Sequence, residues 1–190
     1  SLKYLNFIRK FSMFKKTHIA RSLVCGALLA ASSGVSAGDA YYGGNLAFMD
    51  YSELGLDANV TTLYGRIGKN WNDNFSGEAR LGFGLTDDTV EILGEDVDLK
   101  LSNFVGAYVK AGAQVSEAFY PYAILGFTRI DAKVSGFGES VSDSDTDVSF
   151  GLGADFNASP SVTLNLEYMN YYDKDGAELD AFSFGFTKAF

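Results

Sequence analysis

The chain has 190 residues and carries 15 lysines and arginines against 24 aspartates and glutamates, a formal net charge of −9. Charge of this sign excludes nucleic acid as a partner, because phosphate recognition needs a basic patch. One cysteine, Cys25, and one histidine, His18, exclude an internal disulfide and leave little for imidazole or thiolate chemistry.

Residues 1–12, SLKYLNFIRKFS, read as an upstream extension ahead of Met13 and are set aside from the fold. From Met13 the chain reads MFKKTHIARSLVCGALLAASSGVSA. Lys15, Lys16 and Arg21 make a basic start, Leu23 to Ala31 is apolar, and Val35-Ser36-Ala37 supplies small residues for cleavage. Residues 13–37 are therefore predicted to be a cleavable signal peptide, removed after Ala37. The apolar run is too short for a helical span, which needs about 20 residues. Val24 before Cys25 departs from the small residue that bacterial lipoprotein signals resemble at that place. Cleavage takes away six basic residues, no acids, and both His18 and Cys25. The exported domain, 38–190, then holds nine bases against 24 acids, a net charge of −15, with no imidazole or thiolate.

The exported part shows no helical period. Apolar residues recur at every second position, as in strands with two unlike faces. Eight segments are predicted: 40–50, 59–71, 75–86, 98–114, 119–131, 147–157, 161–172 and 179–190. In the third, Phe75, Ala79, Leu81, Phe83 and Leu85 oppose Ser76, Glu78, Arg80, Gly82 and Gly84. The sixth sets Phe150, Leu152 and Phe156 against Ser149, Gly151, Gly153 and Asp155; the seventh sets Leu164, Leu166 and Tyr168 against Asn165 and Glu167. The fifth, FYPYAILGFTRI, is apolar on both parities and leaves its face unassigned. Short turns at 72–74, 116–118 and 158–160 alternate with longer polar links at 51–58, 87–97, 132–146 and 173–178. An antiparallel up-and-down sheet whose two ends face different surroundings alternates in this way, and eight strands suit a closed barrel without free edges.

Alternation alone does not say which face is inside. An eight-stranded barrel has a bore only just filled by side chains, too small for Phe75, Phe83, Phe150, Phe156, Phe182, Phe184 and Phe186 together. The polar face holds Gly68, Gly82, Gly84, Gly106, Gly112, Gly151, Gly153 and Gly185, poor residues for a solvated strand surface but suited to a narrow interior. The segments also supply the 9–11 residues that a tilted strand needs to cross a bilayer. The expected fold is all-β: an eight-stranded antiparallel up-and-down transmembrane β-barrel with its apolar face outward.

The opening strand AYYGGNLAFMDY, the mid-chain FVGAYVKAGAQVSEAFYPYAILGF and the closing AFSFGFTKAF together resemble the small outer-membrane β-barrel family, the OmpA- and OmpX-like eight-stranded group. The resemblance covers 38–190 and implies location in the cell outer membrane. It also implies that Phe182, Phe184, Phe186 and the terminal Phe190 are the signal read by the barrel insertion machinery. Lys188 departs from the aromatic or apolar residue usual at that place; at the membrane boundary its ammonium can reach water. Trp71, Tyr41, Tyr42, Tyr120, Tyr168 and Tyr172 lie near segment ends, where aromatic girdles are expected.

Inward parity places Arg66, Glu78, Arg80, Lys110, Asp155 and Glu167 in the bore. Three positive and three negative groups away from water must pair, so a lumen ion-pair network is expected. The long-link stretches 50–58, 87–98, 131–147 and 173–180 hold eighteen of the 24 acids and only two bases, Lys133 and Lys174. That rim would face lipopolysaccharide, whose phosphates it meets through bridging divalent cations. Asp143, Asp145 and Asp147 resemble the start of a calcium loop, but the glycine is missing and the twelfth place is Ala154. No dedicated metal site and no cofactor are expected. Without histidine as general base, no enzyme is expected either. The predicted role is a monomeric structural and surface protein whose acidic outer loops serve adhesion or another surface interaction, with an extracellular ligand that stays unidentified. The alternative is a narrow or gated cation-preferring pore. A periplasmic barrel binding an apolar ligand would need the reverse orientation.

Overall fold

The computed structural model describes residues 39–53, 56–86, 88–92, 95–136, 139–174 and 176–190, with side chains left undescribed at 53, 56, 88–92, 95–100, 134–136 and 139–143. The signal-peptide stretch 13–37 and the extension before it lie outside the described residues. All regular structure is β: β1 (Ala40–Glu53), β2 (Leu56–Asn70), β3 (Phe75–Gly84), β4 (Asp88–Ile92), β5 (Glu95–Gly112), β6 (Phe119–Gly136), β7 (Glu139–Asn157), β8 (Val162–Lys174) and β9 (Ala177–Ala189).

Every pairing is antiparallel. Neighbours run β3-β2-β1-β9-β8-β7-β6-β5-β4, and a further β3–β5 pairing closes the cylinder. The short β4 carries on along the same flank of β5 that β3 occupies lower down, Gly82 facing Phe104 and Asp88 facing Leu99. Nine segments therefore make eight wall positions: a closed eight-stranded up-and-down barrel. First and last strands meet along their whole lengths, from Tyr41↔Ala189 to Glu53↔Ala177.

All eight predicted segments are strands, and most run further into the long links than the hydropathy pattern indicated. Within 132–146, expected to be a link, β6 reaches Gly136 and β7 starts at Glu139 with Val134↔Val141 in register. Ladder hydrogen bonds hold this hairpin together where no buried apolar face marks it in the sequence.

The apolar parity faces outward. Phe83 is 49% exposed, Leu152 68% and Phe184 45%, all on the outer wall. Rings meet there across strands, Phe48 with Phe184 and Phe119 with Phe156 at centroid distances of 6.1 and 5.3 Å. Inside, glycine makes room for large rings. A Cβ on Gly153 would overlap the Tyr122 ring, and one on Gly82 would overlap Phe104. The fifth segment gains its face: Tyr122, Ile124 and Thr128 are buried in the bore, while Leu125 and Phe127 are exposed.

Three girdle expectations are corrected. Trp71, Tyr42 and Tyr168 are exposed on the wall, but Tyr41 and Tyr172 are buried, and the Tyr120 ring stands beside Gly112 on the inward parity. A position near a strand end does not decide the face: twofold parity turns Tyr41 and Tyr120 inward, the register shift between Asn170 and Tyr172 breaks that parity on β8, and the Tyr41 hydroxyl is drawn inward by the Glu78 carboxylate at 2.9 Å.

Candidate functional site: the lumen charges and the outer hairpin

Four charged side chains come together in the half of the bore nearest the short turns. Arg66 on β2 faces Arg80 on β3 in register, with Glu78 one inward step along β3. Glu167 on β8 reaches them from across the bore. The Arg80 guanidinium donates through Nε to Glu78 and through Nη1 and Nη2 to Glu167, the last at 2.8 Å. A fork-to-fork pair is the geometry in which a planar guanidinium satisfies both carboxylate oxygens. Arg66 Nη1 lies 3.6 Å from Glu78, and all four side chains are fully buried. None of the Arg66 nitrogens has a hydrogen-bond partner among the described residues, so Arg66 balances charge without being tied.

Lys110 and Asp155 form a separate pair nearer the mouth, 2.9 Å apart and with the carboxylate partly exposed. The Lys110 ammonium sits 3.8 Å from the centre of the Tyr122 ring, a cation–π contact that offsets lost hydration. The six charges thus stand as a four-membered cluster and a pair.

Hydropathy parity did not single out the uncharged partners. Tyr41 donates to Glu78 and Tyr122 to Glu167, each at 2.9 Å. Arg80 lies 4.7 Å from the centre of the Tyr108 ring. Asn45 on β1 donates its amide to Asn165 on β8. The available signal was position: each of these residues shares inward parity with a charge on its own or a neighbouring strand.

Towards the long links the bore changes character. Met49, Val60, Leu101, Phe104, Met169 and Leu179 are packed into one buried cluster. The interior is therefore ion-paired in one half and mostly apolar in the other, with the Thr62, Thr128 and Ser149 hydroxyls among the packed side chains, where glycine and paired ions were expected to line the bore. Glycine makes room for large rings in this half too, Phe104 and Tyr64 lying where a Cβ on Gly82 would stand.

At the outer end Asp145 and Asp147 act on backbone. Asp147 accepts the amide hydrogens of Val148 and Asp173, at 2.9 and 3.4 Å. Asp145 accepts the Thr146 amide at 2.7 Å and the Tyr172 hydroxyl at 3.2 Å, with Lys174 Nζ at 3.8 Å. No group of carboxylates suited to a metal ion occurs among the described residues, and the Asp143 side chain lies outside them. On the last strand Phe182, Phe184, Phe186 and Phe190 are exposed on the outer wall, and Phe190 stacks near Tyr42 at 5.2 Å.

Solved barrels share this architecture at low sequence identity. The attachment invasion locus protein Ail of Yersinia pestis, crystallised with the heparin analogue sucrose octasulfate, superposes with a TM-score of 0.62. The match is at 20% identity over 80% of this chain and 99% of Ail. Neisserial surface protein A gives a TM-score of 0.63 at 16% identity, covering 83% of this chain and all of that one (100%). No curated protein matches the sequence. Residues 21–190 match the outer membrane protein beta-barrel domain, and the chain belongs to that family.

Proposed function

We propose that this outer-membrane barrel is a surface protein that holds a β-sheet outside the cell for adhesion or another surface contact. One observation carries the reading. β6 and β7 stay paired with each other out to Gly136↔Glu139, whereas β7 leaves β8 at Phe150↔Asn170. Beyond Phe127, the last outward phenylalanine on β6, the hairpin continues for nine residues, about 30 Å of strand at ~3.3 Å per residue. Together with β5 and β4 it makes a sheet standing clear of the wall, at the long-link end that faces outward in such barrels.

The names of Ail and of the Neisserial protein, for attachment and for the surface, are in line with this reading. The sulfated ligand in the Ail crystal suits the acidic rim here poorly, so a polyanion is not carried over. Lipopolysaccharide phosphates meet this rim through divalent cations, and the protein works as a monomer.

The remaining assignments belong to the same reading. Residues 13–37 are the export signal, cut after Ala37. Phe182, Phe184, Phe186 and Phe190 serve the insertion machinery. Arg66, Glu78, Arg80, Lys110, Asp155 and Glu167 are the polar core of a closed cylinder. The exported domain carries no catalysis, having neither histidine nor cysteine. The apolar outer half of the bore favours a closed barrel over a pore, because a dry constriction resists ions.

Shortening the β6–β7 hairpin by removing 132–146 tests the role. The expected result is loss of cell attachment while the barrel still changes electrophoretic mobility on heating. Undiminished attachment would overturn the adhesive reading.

A further inference from the structure

On β1, β8 and β9 the outward aromatic wall ends on one register row, Phe48, Phe182 and Tyr168, all exposed. The next outward row towards the long links runs over four strands: Asn59, Asp50, Asp180 and Asn170. The row beyond it is Asp57, Ser52, Glu178 and Asp173. The two rows hold five carboxylates and no base. Lys174, next along β8, takes the other parity opposite Ala177 and lies 3.8 Å from Asp145. Asp50 stands directly across from Asp180, and Glu178 directly across from Asp173. Like charges in opposed positions on paired strands repel, and here two such pairs sit side by side.

A buried amide points into the same patch. Asn170 is 6% exposed. Its Nδ2 donates to Glu178 and Asp180, at 3.4 and 3.1 Å, while its Oδ1 has no partner among the described residues. A ligand carrying N–H groups would serve that oxygen and the carboxylates alike. Among the described residues no three carboxylates form a group suited to a metal ion. These five instead lie on a grid of about 5 Å between strands and about 7 Å along them, which suits several separate cationic groups.

We propose that this patch docks a cationic amphipathic helix lying along the outer boundary of the membrane. Its basic side chains stand over the two acidic rows, and its apolar face enters lipid beside Phe48, Phe182 and Tyr168. Basic residues three or four apart on a helix are about 5–6 Å from one another, close to the spacing of the strands. The aromatic row directly beneath the acids selects an amphiphile over a simple polyamine. A second copy of the barrel would bring acid against acid. With the surface reading above, the proposal shares only the outward placement of the long links.

The test uses the full exported chain refolded in nanodiscs of zwitterionic lipid, with a labelled eighteen-residue amphipathic peptide of lysine and leucine and its glutamate–leucine counterpart. The lysine peptide is expected to bind barrel-loaded discs at least tenfold more tightly than empty ones, and the glutamate peptide to show no such gain. Asp50→Asn with Asp180→Asn should weaken binding at least tenfold, and Asn170→Leu, which keeps every charge, about threefold. Asp96→Asn with Asp98→Asn, an equal change of charge on β5, should leave it unaltered. Heat-dependent mobility checks that each variant folds. Unchanged binding in the Asp50/Asp180 or Asn170 variant, or an equal loss in the β5 variant, would overturn the proposal. So would micromolar binding of magnesium alone that disappears in the Asp50/Asp180 variant, since the patch would then be a metal site. Removing 132–146 leaves all four strands of the patch in place, so peptide binding should persist there even where attachment is lost or was never present.

Discussion

Arg80 is 2% exposed, and its guanidinium is shared between Glu78 on its own strand and Glu167 across the bore. Removing it leaves two buried carboxylates without their main partner, a change that costs about 3–5 kcal/mol in comparable sites. Arg80→Met is therefore expected to lower the urea midpoint of the barrel in lipid vesicles by an amount of that order. Arg66→Met should cost less, since the Arg66 nitrogens make no hydrogen bond among the described residues and Glu78 keeps Arg80 and Tyr41. Equal losses in the two variants would mean that total charge, and not hydrogen bonding, holds the cluster. Glycine sets the other residue-scale limit. Gly82→Val would drive a side chain into Phe104 and Tyr64, with an expected loss of about 1–3 kcal/mol from overpacking. The charges were legible from parity alone. Their division into a cluster and a pair was not, because Glu167 lies 87 residues from Arg80 along the chain.

At the scale of the strands, β7 is the most informative. Its inner part reads as a lipid-facing strand, with Phe150, Leu152 and Phe156 outward. Its outer part, rich in serine and aspartate, resembles a solvated loop or the start of a calcium loop. Asp145 and Asp147 instead spend their carboxylates on backbone amides of β7 and β8. Replacing both by alanine should speed hydrogen exchange at the amides of Thr146, Val148 and Asp173, leaving Phe150 to Asn157 protected; unchanged exchange at all three would contradict the capping role. The closing strand invites a second experiment. Phe190→Ser is expected to lower the amount of barrel assembled in the outer membrane, as measured in membrane fractions. The equilibrium stability of the refolded protein should change much less, since Phe190 follows the last strand residue, Ala189, at the end of the wall.

The molecule as a whole is a cylinder with a greasy coat, an ion-paired inner half and an apolar outer half. Lipid, not water, surrounds the coat, so burial of the outward phenylalanines comes with the membrane. In planar bilayers the refolded chain is expected to show no sustained conductance. Steady, salt-dependent openings abolished by neutralising Glu78 or Arg80 would favour the pore instead.

The sequence by itself determined strand number, antiparallel order and outward hydropathy. Each follows from a two-residue period, which is local, and from a bore too small for the phenylalanines. It did not assign FYPYAILGFTRI, whose face depends on where Tyr122 finds Glu167, a partner 45 residues away. Nor did it reveal the hairpin beyond the membrane, where ladder bonds form without a hydropathy pattern to announce them. Only the tertiary structure decided which charges touch, which tyrosines turn inward and where β7 parts from β8. These outcomes come from closure of the sheet, which sets distant strands face to face across one narrow space.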